Sequence, residues 1–238
     1  MSNLVTPKNK TESYRIFDNI AKTYDFLNII LSLGIDRLWR RKLLKIIGEK
    51  NKVNKALDLA TGTADMAILL GKSKNVESVL GLDMSQKMIN IGNDKIDRSK
   101  LQNKVKLGIG NGMELPLESG SKDLITITFG IRNFGDYEKG LKEMYRVLET
   151  DGRCIIMEFS IPKNFLVRTV YFFYFRNLLP LIGNFISGNK MAYTYLNETV
   201  EDFPYGERFA SKLKEQGFTE VKVHPLTFGI ASIYEAKK

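Results

Sequence analysis

The chain has one cysteine and one histidine in 238 residues, and that scarcity removes several kinds of chemistry. A single thiol cannot form an intramolecular disulfide, and no Cys/His zinc cluster can be assembled, so no metal site is expected. A nucleophile paired with an imidazole would have to use Cys154 and His224 themselves. Cys154 sits inside the apolar run RCIIMEF, which predicts a buried, inert thiol. His224 precedes Pro225, which biases it to extended backbone and a structural role. Long apolar runs are missing too. In the most apolar segment the longest stretch without a charge, 177–189, has 13 residues, short of the roughly 18 that a membrane span needs. The first residues, MSNLVTPKNKTES, are polar; no secretory signal is expected there, and the sequence reads as cytoplasmic. Acidic residues are the minority, 27 Asp plus Glu against 36 Lys plus Arg, for a net charge of +9. That excess permits an acidic partner, a nucleic acid or an anionic membrane surface, without requiring one.

What is present is ordinary globular composition, 43% hydrophobic and 26% charged, and a length that suits one domain, 1–238, with a substantial core. From Tyr14 to Leu31 apolar residues fall at or near helical spacing, with Asn28 the polar exception. A second helix is predicted from Asp36 to Ile47, DRLWRRKLLKII, amphipathic and very basic, carrying the only tryptophan. Then the rhythm changes. KALDLA, VESVLGLD, KVKLGI, DLITITFG and RCIIMEFS read as strands, separated by the helical patterns ADMAILLGK, SQKMINIGNDKI and YEKGLKEMYRVL. Such alternation means βαβ units and a parallel sheet covered on both faces. The alternation stops after Ser160, where an aromatic-rich insertion spans 162–205. RFASKLKEQGF resumes a helix, and EVKVHPLTFGIASIYEAK reads as two strands joined at Thr227–Gly229. The expected fold is α/β, a Rossmann-like, doubly wound, mostly parallel seven-stranded sheet with an antiparallel C-terminal strand.

In such a sheet ligands sit at the carboxyl ends of the strands, first of all where the first strand turns into the first helix. Here that turn is VNKALDLATGTADMAILL, 53–70, with one glycine, Gly62, between Ala60 and Ala64. The fingerprint G-x-G-x-x-G is absent, as is a Walker A loop, so a dinucleotide pyrophosphate is poorly supported. A nucleoside without phosphates fits better. Asp58 lies in the first strand, and Asp83 ends the second, where a carboxylate can accept both hydroxyls of a ribose. Asn111 follows the third strand in GNGMELP, where an amide can pair with an adenine edge. Gly62 lets backbone approach the ligand, and Ala60 is small enough not to block it. Three polar groups at three successive strand ends suit S-adenosylmethionine; Thr63, Met84, Gly112 and Thr128 complete the expected cofactor-binding set. Taken singly, each acid could be no more than a strand-end or helix-cap residue.

Reading outward, three segments carry a more specific pattern: IAKTYDFLNIILSLGIDRLWRRKL (20–43), FGIRNFGDYEKGLKEMYRVLETDGRCIIMEFSIP (129–162) and LPLIGNFISGNKMAYTYLNETVEDFP (179–204). They resemble the ubiquinone/menaquinone biosynthesis C-methyltransferases, class I enzymes dependent on S-adenosylmethionine, over nearly the whole chain. The chain departs from that pattern in places. Thr61 and Ala64 stand where the family loop has glycines, Asp36 where it commonly has histidine, and Glu149-Thr150-Asp151-Gly152 where it has K-P-G-G, the last expected to be a surface turn.

The resemblance implies methylation of a ring carbon of a prenylated quinol, most simply demethylmenaquinol to menaquinol, with a polyprenyl benzoquinol as the alternative substrate. A ring carbon becomes nucleophilic when the quinol oxygen loses its proton, so the enzyme must stabilise a developing quinolate. It implies Arg132 and Asn133, after the fourth strand, as the leading catalytic pair: a guanidinium to lower the quinol pKa and an amide to hold the second ring oxygen. Tyr24 and Asp25 follow, as part of an N-terminal helical lid (1–50), with Asp25 a candidate proton acceptor. Tyr193 and Tyr195 are expected to line the substrate side. The insertion around 165–188 reads as a core helix, a wall for the polyprenyl tail, or a peripheral membrane contact. Arg37, Arg40, Arg41, Lys42 and Lys45 read as a solvated basic face able to assist at an anionic surface. Two rival readings remain, an RNA methyltransferase and a non-catalytic quinone-binding protein. Without an RNA-binding module, no nucleic-acid partner is expected; a homodimer is left open.

Overall fold

The strands order themselves by burial. In the computed structural model, which describes residues 13–21, 23–32, 34–48, 51–178 and 190–238, seven strands form one sheet: β1 Val53–Leu59, β2 Val76–Asp83, β3 Val105–Ile109, β4 Lys122–Thr128, β5 Leu148–Phe159, β6 Thr219–Leu226 and β7 Ala231–Lys237. Their order is β3-β2-β1-β4-β5-β7-β6. The first five pair in parallel, and β7 runs antiparallel between β5 and β6. This is the expected doubly wound topology. Along β5 successive side chains enter opposite layers: Ile155 and Met157 join one core, Cys154 and Ile156 the other.

Helices α3 (Asp36–Ile47), α4 (Asp65–Lys72) and α5 (Gln86–Arg98) supply the first core, through Trp39, Leu43, Ile47, Met66, Leu70 and Ile96. Helix α6 (Tyr137–Val147) and the helix at Glu207–Glu215 supply the second, through Leu141, Met144, Phe209 and Leu213. Two of these helices begin on side-chain caps: Ser85 Oγ accepts from Met88 N–H (3.1 Å) and Asp136 Oδ1 from Lys139 N–H (2.9 Å). Cys154 is buried, and burial pushes its thiol up to about 12.

Three local expectations change. The single helix expected from Tyr14 is two, α1 (Tyr14–Ile20) and α2 (Tyr24–Leu31). The break has a local cause: the Thr23 amide and hydroxyl both donate to Ile20 O (2.9 and 3.1 Å), taking that carbonyl for a turn. The expected surface turn at 149–152 is instead a bulge inside β5. The register passes from Lys122↔Leu148 to Leu124↔Arg153, with Asp151 at φ 63°. The basic face of α3 is not uniformly solvated. Arg37, Arg41, Lys42 and Lys45 are exposed, whereas Arg40 is buried on the same stripe as Asp36, Leu43 and Ile47. The far end of α3 is held by Arg153, whose guanidinium donates to Ile46 O (2.7 Å) and Ile47 O (2.8 Å).

Within the insertion, α7 (Phe165–Phe173) and α8 (Lys190–Asp202) pack against α1 through Tyr171, Tyr195, Val200 and Ile16; α9 is the helix Glu207–Glu215 named above. Most of the uncharged run 177–189 and the Tyr193 side chain lie outside the described residues. No helix among the described residues is long and apolar enough to cross a membrane.

Asp58 anchors the loop after β1 from below. It is buried, and its carboxylate accepts from Thr61 Oγ1 and Thr126 Oγ1, both at 2.7 Å, tying the loop to β4. Burial raises its pKa to about 6, partly offset by the two hydroxyls. The folded protein therefore holds this proton more tightly than the unfolded chain, and Asp58's contribution to stability is lost as pH rises from about 4 to 6. Relative to wild type, Asp58→Asn should gain up to about 3 kcal/mol across that window. Urea unfolding at pH 4 and pH 7 checks this; an unchanged difference between the two proteins would contradict it.

Candidate active site

At the carboxyl ends of the parallel strands two cavities adjoin, both open to solvent. Phe17, Tyr24 and Phe129 line both, and α1 and α2 supply part of each wall.

The first is a cleft over the β1, β2 and β3 ends, lined among others by Ala60, Gly62, Asp83, Met84, Asn111, Gly112 and Thr128. The chain reaches it through a loop with alternating left-handed residues, Ala60 (φ 49°), Gly62 (φ 55°) and Ala64 (φ 67°). At Gly62 the backbone turns its N–H onto Asp83 Oδ2 (2.8 Å), while Ser85 N–H donates to Asp83 Oδ1 (2.9 Å). A carboxylate has about four acceptor sites, so capacity remains for a ligand hydroxyl. Burial pushes the Asp83 carboxyl up, and the backbone N–H groups of Ser85, Gly62 and Met84 pull it back. Asn111 Oδ1 accepts from Met113 N–H (3.0 Å), which fixes the amide at the edge of the cleft. At Gly112 a Cβ would stand 2.4 Å from the Phe134 ring, so only glycine lets that ring close the floor. Among the described residues the lining holds one carboxylate and no basic side chain. That fits a cationic nucleoside such as S-adenosylmethionine and does not fit a phosphorylated one, which draws Lys or Arg.

The second cavity has aromatic walls, Trp39, Phe129 and Phe159, with Arg132, Arg40 and Asp36 among its polar residues. Arg132 is 6% exposed. Its Nη1 donates to Phe129 O (2.6 Å) and to Glu158 Oε1 (2.8 Å), and the guanidinium lies over the Phe159 ring, 5.3 Å from its centre. Arg132 Nε is buried without a hydrogen-bond partner among the described residues. Burial raises the Tyr24 hydroxyl pKa, so it stands as a neutral phenol between the cavities. An apolar groove of Ile35, Leu166, Val167, Val170 and Ile230 continues from this cavity, sharing Ser32, Trp39, Phe159 and Leu196 with it.

The predicted residues do not all meet. Asp58 lies beneath the loop rather than in the cleft, and Thr63 turns away to donate to Asp25 Oδ1 (2.5 Å). Asp25 itself lines neither cavity. Its other oxygen accepts from Lys95 (2.9 Å), and Lys95 also pairs with Asp65, so the carboxylate fastens α2 to α5. Asn133 lines the cleft and not the aromatic cavity, with its Oδ1 buried and unpartnered among the described residues. Tyr195 lines the aromatic cavity. Sequence reasoning missed Glu158 and Lys95, and took Arg40 only for part of a solvated basic face. A signal existed for two of them: Glu158 is the lone acid in an apolar strand run, and Asp36 and Arg40 stand four apart on the apolar stripe of α3.

Removing Asp83, the carboxylate expected to accept the ribose, tests the cleft. Asp83→Ala should weaken S-adenosylmethionine binding by roughly tenfold to a hundredfold, the worth of charge-assisted hydrogen bonds. Calorimetric titration measures it, and unchanged affinity would contradict the role of Asp83.

Comparison with known proteins agrees with this geometry. A sequence model of the ubiE/COQ5 methyltransferase family matches residues 5–238. The chain is 39% identical over 231 residues to a demethylmenaquinone methyltransferase of Bacteroides fragilis, covering 97% of this chain and 94% of that protein. It is 41% identical over 219 residues to the demethylmenaquinone methyltransferase of Thermus thermophilus, covering 92% and 98%. Among solved structures, a SAM-dependent methyltransferase from Thermotoga maritima superposes with a TM-score of 0.67 at 18% identity, over 94% of this chain and 99% of that one, a likeness of fold. The chain belongs to the ubiE/COQ5 methyltransferase family.

Proposed function

We propose that this protein methylates a ring carbon of a prenylated quinol, demethylmenaquinol, with S-adenosylmethionine as donor, giving menaquinol. One observation carries the reading. A cleft with a carboxylate and no basic side chain adjoins an aromatic cavity holding a buried guanidinium, and that cavity runs on into an apolar groove. Nucleoside, quinol ring and prenyl tail each have a surface of their own chemistry. The naming of relatives as demethylmenaquinone methyltransferases supports the ring.

Bound in the cleft, S-adenosylmethionine supplies an electrophilic methyl group on a positively charged sulfur, so the protein's work is concentrated on the ring. Arg132 stabilises the quinolate: in a dry cavity a fixed guanidinium favours the ionised oxygen and makes the ortho carbon nucleophilic. Glu158 holds Arg132 in place and leaves Nε–H for the substrate. Trp39, Phe129 and Phe159 orient the ring by stacking and exclude water. Asp25, with both oxygens engaged, serves as a clamp for a lid formed by α1 and α2, and the ring proton passes to water once that lid opens after methyl transfer.

The outer surface of α7 bears Phe165, Leu166, Val170 and Phe173, each 60–73% exposed, and the turn between β6 and β7 bears the more exposed Phe228. Lys163 and Arg168 lie on the same stretch of chain and are solvent-accessible. An apolar surface with basic residues beside it suits peripheral contact with the lipid in which a prenylated substrate resides.

Transfer of labelled methyl from S-adenosylmethionine to chemically reduced demethylmenaquinone in detergent should give labelled menaquinone; no label with cofactor binding intact would overturn the substrate. Arg132→Lys should lower turnover roughly a hundredfold to a thousandfold with cofactor affinity kept. Unchanged turnover removes Arg132 from the mechanism. Lysine is the useful replacement, because Arg132→Ala would leave Glu158 uncompensated at a cost of about 3–5 kcal/mol.

A further inference from the structure

Arg40 repeats the arrangement of Arg132. It is 7% exposed, its Nη1 donates to Asp36, and its Nε is buried with no hydrogen-bond partner among the described residues. Asp36 is also buried and accepts from Ser32 Oγ (2.8 Å). Both members of the pair line the aromatic cavity. Two arginines thus line the cavity, each tethered through Nη1 to its own buried carboxylate and each with a buried, unpaired Nε–H. Their charges both act on the Tyr24 hydroxyl. A buried donor left unpaired is costly, so two of them in one cavity call for a ligand with two acceptors.

We propose that Arg40 binds the second ring oxygen of the quinol, the one across the ring from the oxygen held by Arg132, and so selects rings that carry both. The inference rests on the quinol reading above. Arg132 takes the oxygen ortho to the accepting carbon, because its neighbours Phe129 and Asn133 border the cofactor cleft. Arg40 lines the same cavity as Arg132, but its partners Asp36 and Ser32 do not border the cleft, whereas Arg132 is bonded to Phe129 and adjoins Asn133, which do; that leaves Arg40 the ring's other oxygen. Asn133, expected from sequence to hold that oxygen, lies on the cofactor side.

Trp39 is the only tryptophan and lines the cavity, so quenching of its fluorescence reads binding directly, without turnover. The probes are a short-chain demethylmenaquinol and the prenylated naphthol that keeps only the hydroxyl ortho to the accepting carbon. Wild type should bind the quinol roughly tenfold to a hundredfold more tightly than the naphthol. Arg40→Gln should bind both with the naphthol's affinity, and its kcat/KM should fall for the quinol alone, with S-adenosylmethionine affinity unchanged. Because this change strands Asp36, the double variant Asp36→Asn/Arg40→Gln, which keeps the cavity neutral, is measured beside it with the same expectation. Retained discrimination, or equal weakening of both probes, overturns the role of Arg40. If wild type binds S-adenosylmethionine but neither probe, the quinol reading itself fails, and the inference with it.

Discussion

A carboxylate with 1% of its surface exposed needs a fixed cation, and Glu158 at the end of β5 has one in Arg132. The pair organises the short helical turn after β4. Glu158 also accepts from the backbone N–H of Phe159 (2.9 Å), and Arg132 Nη1 reaches back to Phe129 O (2.6 Å). The guanidinium to which the proposed mechanism assigns the quinolate is therefore held by the same contacts that make the strand end foldable. A guanidinium so placed does not reorganise when charge develops beside it, which is where preorganised sites gain over water.

Much of this was legible in the sequence, for a physical reason. Parallel strands buried on both faces read as unbroken apolar runs, so KALDLA and RCIIMEFS identify themselves, and DRLWRRKLLKII shows its apolar stripe without help. Position along a strand is legible; the direction a side chain takes beyond its end is not. Asp58 and Asp83 look equivalent in sequence, yet one braces the loop from below and the other borders the cleft. Thr63 and Asp25, read as cofactor and proton-acceptor residues, find each other. Arg40 was hidden by its exposed basic neighbours, since charge count says nothing about which lysine or arginine of a helix turns inward.

The N-terminal helices α1 and α2 are held by the apolar packing of Ile16 and Ile20 and by polar contacts that are partly open to solvent. Asp25 meets Lys95 and Thr63, Ser85 donates to Asp18, and Ser13 Oγ donates to Asn133 O (3.2 Å). Contacts of this kind are individually worth about 0.2–1 kcal/mol. Helices α1 and α2 wall both cavities, and Phe17 and Tyr24 are shared between them.

The groove that continues from the aromatic cavity is open along α7, and Leu166 and Val170 belong both to its wall and to the exposed surface. For a prenylated ring this governs release as much as capture. Each five-carbon unit drawn out of water and fully enclosed contributes about 4 kcal/mol, so a closed tunnel fitted to a long tail would slow the product's departure with every unit it enclosed. An open groove leaves the far end of the tail in its own apolar surroundings, and the ring, not the tail, then decides how long the product stays.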